Sequence, residues 1–201
     1  MKKIAPFFSF LIVLVTSCSI DATDIATERD ENQNAPEPTF MSGVVNEVPY
    51  SNLKPQNYTG VASLQTDVET YQKTPVLAYN YLLLQGSDIT LTDAPLPSSV
   101  LINIRIPESK WAVGTYALND VESTGINGTD CFAGLIEMGS GNKTRIVSGT
   151  LNITEFNLVT RTIKGTFSFS YMRKVGTTLE GPYELNSGAF KYKLDAPYFN
   201  Q

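Results

Sequence analysis

The sequence predicts an all-β domain, either an antiparallel β-sandwich or a flattened, lipocalin-like barrel, of about 8–10 strands. Three observations indicate this fold class. Apolar and polar residues alternate in several runs of the 201-residue chain, as they do in half-buried strands. Turn-forming groups such as LQGSD, DAPLPSS and MGSGNK separate these runs. The sequence also lacks any sustained helical periodicity.

The clearest strand in the first half of the domain is VLINIRIP, residues 100–107. Alternation places Ile102, Ile104 and Ile106 on one face, with Asn103 and Arg105 on the other. The segment LQTDVETYQKT, residues 64–74, predicts one short helix. Shorter apolar runs predict further strands over residues 40–45, 77–84, 114–118, 132–138 and 183–185.

The most regular alternation lies in TIKGTFSFSYMRK, where Ile163, Phe167, Phe169 and Tyr171 share one face. Gly165 falls on the same face, which indicates a bulge or a place where another part of the chain approaches closely. Both features predict a strand packed on an aromatic core.

Two neighbouring runs extend this pattern. In SGTLNITEF, Leu151 and Ile153 point to one face, and a short polar connection over 157–161 then leads to the aromatic strand. That arrangement predicts an antiparallel hairpin. The run GAFKYKL places Phe190, Tyr192 and Leu194 on its apolar face.

The N-terminus begins with Lys2 and Lys3 and continues with an apolar stretch over residues 4–15. This stretch is shorter than the roughly 20 residues of a membrane-spanning helix and is typical of a secretory signal. Val15-Thr16-Ser17-Cys18 resembles the lipobox of bacterial lipoproteins. In that family the cysteine thiol receives a diacylglycerol, the signal is removed before it and the new amine is acylated with palmitate or a similar chain.

The resemblance to lipoproteins implies that residues 1–17 are a signal peptide and that Cys18 is the lipid attachment site. Residues 18–38 carry six acidic side chains against one basic side chain, few large apolar residues and two prolines, which predicts a disordered acidic tether. Residues 39–201 then form a single β-rich domain. Ser19 follows the cysteine, and in enterobacterial sorting this residue type permits export to the outer membrane. The expected location is therefore the bacterial cell envelope, anchored to the bilayer by N-terminal acyl chains.

A second resemblance covers most of residues 40–194. The ordered segments VVNEVPY, VLINIRIP, VGTYAL, SGTLNIT, IKGTFSFSY and LNSGAFKYKL resemble a group of small, uncharacterised β-rich lipoproteins of Bacteroidetes. Their first hairpin usually has Asp-Gly where this chain has Asn46-Glu47. The shared motifs consist of turn glycines and core aromatics, so the resemblance implies a fold and supplies no catalytic residues.

Several function classes are excluded by composition. Histidine is absent from the sequence, which removes Ser-His-Asp and Cys-His nucleophile systems. The net charge is −5 without a basic stripe, so a nucleic-acid partner is not expected. The two cysteines are Cys18 and Cys131. With Cys18 lipidated, Cys131 is expected to be reduced and buried. Metal and cofactor sites are not expected.

The composition does not exclude catalytic or metal sites that are built from carboxylates. A glycan hydrolase needs two acids about 5–10 Å apart, and sequence alone does not bring together Glu47, Glu137, Glu155 or Glu184. The segment NDVESTGINGTD, residues 119–130, holds oxygen ligands suited to calcium, but its spacing is not that of an EF-hand. Asn and Asp beside glycine are typical of turns, which is the favoured interpretation.

Trp111 is the single tryptophan and lies between two predicted strands. The favoured interpretation is that it caps one end of the core, and the alternative is an exposed aromatic contact for a ligand. Ligand contacts are otherwise expected from the Gly- and Asn-rich loops over residues 119–130 and 139–143, because binding residues concentrate on loops of a rigid scaffold.

These observations predict a membrane-anchored envelope lipoprotein that acts as a non-catalytic binding or accessory module for a glycan, a peptide or an envelope protein. The alternative is a carrier of a small apolar ligand inside a lipocalin-like barrel. The large inward aromatics favour a filled interior over a hollow one. A carboxylate-based glycan hydrolase is the least favoured of the three.

Overall fold

The structure is a computed structural model that describes residues 40–55, 65–88, 99–137, 142–195 and 199. All of these belong to one compact unit, Glu37–Gln201. The predicted signal peptide, Cys18 and the predicted tether lie outside the described residues.

Ten strands make up nearly all of the described structure. They are β1 (Met41–Val45), β2 (Val48–Leu53), β3 (Thr66–Thr74), β4 (Leu77–Ser87), β5 (Val100–Pro107), β6 (Gly114–Asp120), β7 (Cys131–Glu137), β8 (Asn142–Asn157), β9 (Thr162–Val175) and β10 (Thr178–Lys193). A 3-10 turn, Glu108–Lys110, follows β5, and one short helix, α1 (Val121–Thr124), follows β6. The prediction of an all-β fold is confirmed.

The strands form a single sheet in the order β2-β1-β10-β9-β8-β6-β7-β5-β4-β3. Neighbours are antiparallel except β6 and β7, which run parallel. Beyond β2, Lys54 exchanges two backbone hydrogen bonds of 2.8 Å with Ser87 at the end of β4. The Tyr192 hydroxyl of β10 donates to the backbone carbonyl of Gln85 in β4. These contacts hold the curled sheet as a half-barrel rather than as two stacked sheets.

The inner face of the sheet carries the core, and its centre is aromatic. Phe167 and Phe169 lie on β9 with ring centroids 6.3 Å apart, and Phe190 of β10 lies 6.3 Å from Phe167. Gly165 occupies the same face, and a Cβ there would lie 2.2 Å from the Asn152 carbonyl oxygen. The close approach predicted at this glycine is confirmed. Each of the predicted inward residues on β5, β8, β9 and β10, and just after β10, is buried: Ile102, Ile104, Ile106, Leu151, Ile153, Ile163, Phe167, Phe169, Tyr171, Phe190, Tyr192 and Leu194.

The helix predicted over residues 64–74 is wrong, because this segment forms strand β3. β3 pairs along its length with β4, and Val68 packs against the core while Glu69 and Tyr71 lie on the outer face. Threonine, valine and tyrosine favour strands, and the available pairing partner overrides the weak helical pattern. The runs at 183–185 and 189–194 belong to one strand, β10, in which the register shifts between Leu185 and Gly188.

The first hairpin forms where the resemblance places it, despite the departure from Asp-Gly. Val45 pairs with Val48, and Asn46 and Glu47 occupy the two central positions of the turn with φ values of 46° and 68°. Positive φ at both positions is the geometry of a type I′ turn. Asparagine tolerates it well, whereas glutamate is strained there.

Candidate functional site

The inner face of the sheet ends in a polar cluster that we call the inner triad, formed by Glu137, Tyr171 and Arg173. Glu137 follows the buried residues Ala133 and Leu135 at alternate positions of β7. Tyr171 and Arg173 continue the inward-facing series of β9 beyond its phenylalanines. Strand alternation therefore aims a carboxylate and a guanidinium at the same side of the sheet as the core.

Short contacts join the three side chains. The Tyr171 hydroxyl donates to Glu137 Oε1 at 3.0 Å, and Arg173 Nη2 donates to the same oxygen at 2.6 Å. Arg173 Nε lies 2.5 Å from Glu137 Oε2. Arg173 Nε and Glu137 Oε2 have almost no solvent contact. The geometry of this contact is that of an ion pair rather than of an aligned hydrogen bond.

Two further tyrosines and one acid surround the inner triad. The guanidinium of Arg173 stacks 4.2 Å above the ring of Tyr183 on β10, a cation–π arrangement. Asp88, after β4, accepts a hydrogen bond of 2.8 Å from the backbone N–H of Val100, and Val100 pairs with Glu137. The carboxylates of Asp88 and Glu137 both act on Tyr50 of β2.

Electrostatics at this site follow from burial and from Glu137. Burial, followed by the Glu137 charge, raises the pKa of Tyr171 well above its ordinary value. The hydrogen bond to Glu137 is the largest influence on Arg173 and raises the pKa of its guanidinium. Burial and then the charges of Asp88 and Glu137 raise the pKa of Tyr50. Tyr171 and Tyr50 therefore remain neutral hydroxyls, and Arg173 remains a cation, throughout the physiological pH range.

An outer triad of the same residue types lies on the opposite face. Arg105 of β5 donates from Nε to Glu69 Oε2 at 2.8 Å and to the Tyr71 hydroxyl at 2.9 Å. The Tyr71 hydroxyl in turn donates to Glu69 Oε2. The ring of Tyr71 meets that of the buried Tyr81 edge to face at 5.6 Å. The Tyr81 hydroxyl accepts a hydrogen bond from the backbone N–H of Gly128, so the loop after α1 packs onto this face.

The predicted binding loop over residues 119–130 uses its polar side chains for its own structure. Asp120 caps α1 by accepting a hydrogen bond of 3.0 Å from the Ser123 N–H. Asn127 Oδ1 accepts hydrogen bonds from the N–H groups of Thr129 and Asp130, and Asn127 Nδ2 donates to the Asp130 carboxylate at 2.7 Å. These contacts fit the interpretation as turn residues.

The other predicted loop, 139–143, falls largely outside the described residues. Among the residues that the structure describes, no three His, Cys, Asp or Glu side chains group in a way that would hold a metal ion. Of the four glutamates considered from the sequence, Glu137 faces inward at the triad, whereas Glu47 and Glu184 are exposed and Glu155 is half-buried against Lys164 in the sheet register.

Trp111 caps one end of the core, as the favoured interpretation had it. Its indole N–H donates to the backbone carbonyl of Ile106 at 2.9 Å, and its ring lies 5.3 Å from that of Phe199. The side chain is half-buried and packs against the core. An anchoring contact of this kind fixes the corner between β5 and β6.

Cys131 is a free, fully buried cysteine at the start of β7. Burial is the largest influence on this thiol and raises its pKa to about 12. A thiol that stays protonated is a poor nucleophile. The predicted burial of Cys131 is confirmed, and the lipid-attachment role of Cys18 stays a prediction.

Sequence reasoning missed Arg173 and Tyr183 as site residues, although a signal for Arg173 was present. Arg173 has the same parity as Phe167, Phe169 and Tyr171, and Glu137 has the parity of the buried residues of β7. A charge at an inward position costs free energy unless it is paired. Two inward positions of opposite charge on separate strands therefore predict a contact.

Within the part of the chain that the structure describes, the helices are too short to cross a bilayer. No protein-family model, curated protein or solved structure matches this chain.

Proposed function

We propose that this chain is a lipid-anchored module of a bacterial cell envelope that binds a neutral, hydroxyl-rich ligand without transforming it. The observation that carries the proposal is the inner triad, which places polar groups at the end of an otherwise apolar inner face. A concave apolar surface with a few convergent polar groups is the usual form of a small-molecule site.

The charges and hydrogen-bonding groups of the site favour a neutral ligand. Among the described residues of the site, the carboxylates of Glu137 and Asp88 outnumber the guanidinium of Arg173, so an anionic ligand is disfavoured. Arg173 has five N–H groups, of which those on Nη2 and Nε face Glu137. The Tyr171 hydroxyl is also a hydrogen-bond partner of this guanidinium. Guanidinium N–H groups suit ligand hydroxyls, and the rings of Tyr183 and Tyr50 suit the apolar face of a sugar.

The anchor is supported by sequence. The basic start, the short apolar run and Val15-Thr16-Ser17-Cys18 together fit a lipobox in which Cys18 is acylated. Two or more acyl chains make membrane attachment stable. Labelled palmitate should enter the wild-type chain and should not enter Cys18→Ala, and equal labelling of both would overturn the anchor.

The two other function classes receive less support. A carrier of an apolar ligand needs interior space, whereas the centre of the inner face holds the fully buried rings of Phe169, Phe190 and Tyr192. A carboxylate hydrolase needs a free acid and a free base, whereas Glu137 is held by Arg173 and Tyr171.

Titration of the mature, lipidated protein with uncharged disaccharides tests the proposed ligand class. The protein is kept in a detergent without a sugar head group, and binding is measured by calorimetry and by the rise in melting temperature. Tyr183→Ala should weaken saturable binding about tenfold, the loss of one good aromatic contact. Tyr71→Ala, which removes the tyrosine that contacts the arginine of the outer triad, should leave the affinity unchanged.

Two results would contradict the proposal. Equal loss of affinity in Tyr183→Ala and Tyr71→Ala would show that the inner triad is not the site. Conversion of a disaccharide into products that stops in Glu137→Gln would make the hydrolase the better description.

A further inference from the structure

Strand β3 forms one edge of the sheet, and its outer side presents backbone groups for pairing. β3 is last in the strand order and pairs only with β4 among the described strands. The Val68 N–H donates to the carboxylate of the neighbouring Asp67 at 2.8 Å, so it points away from β4. Because backbone groups alternate sides along a strand, Thr70 and Gln72 present their N–H and C=O groups to the same outer side. The side chains of Thr70 and Gln72 are exposed.

The open part of this edge begins after Thr66. The Thr66 N–H donates to the Asp195 carboxylate at 3.3 Å, and the Thr66 hydroxyl donates to the backbone carbonyl of Lys193. The end of β10 therefore lies against the start of β3. Between Asp67 and Thr74, no hydrogen bond from another described strand reaches the outer side of the edge.

The opposite edge of the sheet, β2, is less suited to pairing. Val45 and Val48 are the hydrogen-bonded pair that closes the type I′ turn, so the next residue, Pro49, faces outward without an N–H group. At the other end of β2, Lys54 already exchanges hydrogen bonds with Ser87. Of the two edges, β3 is therefore the one that can accept another strand.

The sequence of β3 is self-complementary when two copies run antiparallel. A pair centred on Thr70 brings together these residues of the two copies: Thr70 with Thr70, Glu69 with Tyr71, Val68 with Gln72, and Asp67 with Lys73. Threonine pairs and opposite charges stabilise antiparallel strands. Asp67 and Lys73 are both exposed, and two-fold symmetry forms their ion pair twice.

The charges also select the register of this pair. Charges on an edge strand often prevent pairing, but Asp67 and Lys73 have opposite signs and lie equally far from the centre of β3. A shift of the register in one direction places Asp67 opposite Tyr71 and leaves it without a cation. A shift in the other direction places Lys73 opposite Glu69, whose carboxylate is already bound by Arg105. The centred register is therefore the one that matches the free charges.

We infer that two copies of this chain associate through β3, in an antiparallel pair centred on Thr70 that joins their ten-stranded sheets edge to edge. In this pair the Val68 N–H exchanges its bond to Asp67 for the Gln72 carbonyl of the other copy. The Asp67 carboxylate is then released to pair with Lys73. The two-fold axis closes the assembly at two copies. This interaction surface is separate from the proposed ligand site and does not depend on the lipid anchor.

Charge reversal tests the ion pairs. The dissociation constant of self-association is measured by sedimentation of the full chain in detergent. Asp67→Lys and Lys73→Asp should each weaken association at least about tenfold, because each places like charges opposite one another twice. The double variant, which exchanges the two charges, should return to within about threefold of the wild type. Glu184→Lys, at an exposed position of β10, is the matched control and should have little effect, since sharing of a micelle affects all variants alike.

Disulfide formation tests the register. In the proposed pair, Asp67 and Lys73 of the two copies have Cα atoms about 4.5 Å apart, within reach of a disulfide. A mixture of Asp67→Cys and Lys73→Cys chains should therefore give crosslinked dimers. Either variant alone should give none, because identical positions lie about 20 Å apart along the strands. The parent chain measures the background, and its Cys131 is fully buried.

Three results would overturn the inference. Crosslinking of either cysteine variant with itself would show a different contact between the copies. Association that is unchanged in both charge-reversal variants would place the contact outside β3. A chain that stays single at all concentrations, without crosslinks in the mixture, would leave the β3 edge to an extended segment of another protein. None of these results bears on the binding of disaccharides, so the proposed function is tested separately.

Discussion

The inner and outer triads contain the same three residue types and differ in what surrounds them. In the outer triad, Arg105 and Glu69 lie on β5 and on the edge strand β3, where the loop after α1 packs beside Tyr81. In the inner triad, Arg173 and Glu137 lie where the core ends. The two arginine side chains have similar exposure, 23% and 21%, whereas the glutamates differ, 30% in the outer triad and 14% in the inner.

The main cause acting on the pKa also differs between the two guanidiniums. Burial is the largest influence on Arg105, and Glu69 more than offsets it, so its pKa is raised. For Arg173 the hydrogen bond to Glu137 comes first and burial second. Arg105 is thus enclosed by the protein on the face where the loop after α1 packs, whereas Arg173 is held mainly by the carboxylate of Glu137 where the core ends. The same residue types serve packing in the outer triad, and we propose that in the inner triad they present donors to a ligand.

The largest expected effect tests whether the inner face carries the stability of the domain. Phe169→Ala should lower the free energy of unfolding by about 3–5 kcal/mol, because it leaves a cavity among Phe167 and Tyr171. Ser168→Ala, at the neighbouring exposed position on the outer face, should change it by less than about 0.5 kcal/mol. Denaturant unfolding measures both, and similar losses would mean that the two faces do not differ as described.

The second prediction compares the triads directly. Arg173→Met should cost about 3 kcal/mol, because it removes the guanidinium that lies against the nearly buried Glu137 carboxylate. Arg105→Met should cost about 1 kcal/mol, because Glu69 is more exposed and reaches solvent. Adding Glu137→Gln to Arg173→Met should recover part of the loss. Equal costs for the two arginine variants would remove the distinction between the triads.

The third prediction uses alkaline pH. The raised pKa values of Tyr171 and Cys131 mean that the folded protein holds their protons more tightly than the unfolded chain. Their contribution to stability is complete below pH about 9, the ordinary value of the thiol, and is lost as the pH rises toward 12 and above. Tyr171→Phe should flatten this decline more than Tyr71→Phe, because the outer tyrosine has the smaller shift. Denaturant midpoints between pH 8 and 11 measure this decline in stability. A steeper decline in Tyr171→Phe than in the wild type would contradict the predicted direction of the effect.

Much of this arrangement could be predicted from alternation alone. The period-2 pattern identifies the inward series on β5, β8, β9 and β10, because a half-buried strand has one apolar face. The same rule would have placed Glu137 and Arg173 inward, although it does not say that the end of β7 pairs with β8 and so lies one strand away from β9. That contact depends on sheet order, which pairs residues distant in sequence. β3 was missed because Thr66–Thr74 has its partner in β4 and little apolar signal of its own.

The prediction with the smallest expected effect is a control on overall stability. It checks that the different costs of Arg173→Met and Arg105→Met do not depend on how stable the parent domain is. Glu47 has a φ of 68° in the β1–β2 turn, a conformation that glycine adopts without strain. Glu47→Gly should therefore raise the free energy of unfolding by about 0.5 kcal/mol, with the gain reduced by the greater freedom of glycine in the unfolded chain. Combined with Arg173→Met or Arg105→Met, it should add the same increment to each, because distant sites are additive. Asn46→Ala, at the other positive-φ position of the turn, should instead be destabilising. An increment that differs between the two arginine variants would mean that one triad is coupled to this turn, and the comparison of their costs would then need to include β1 and β2.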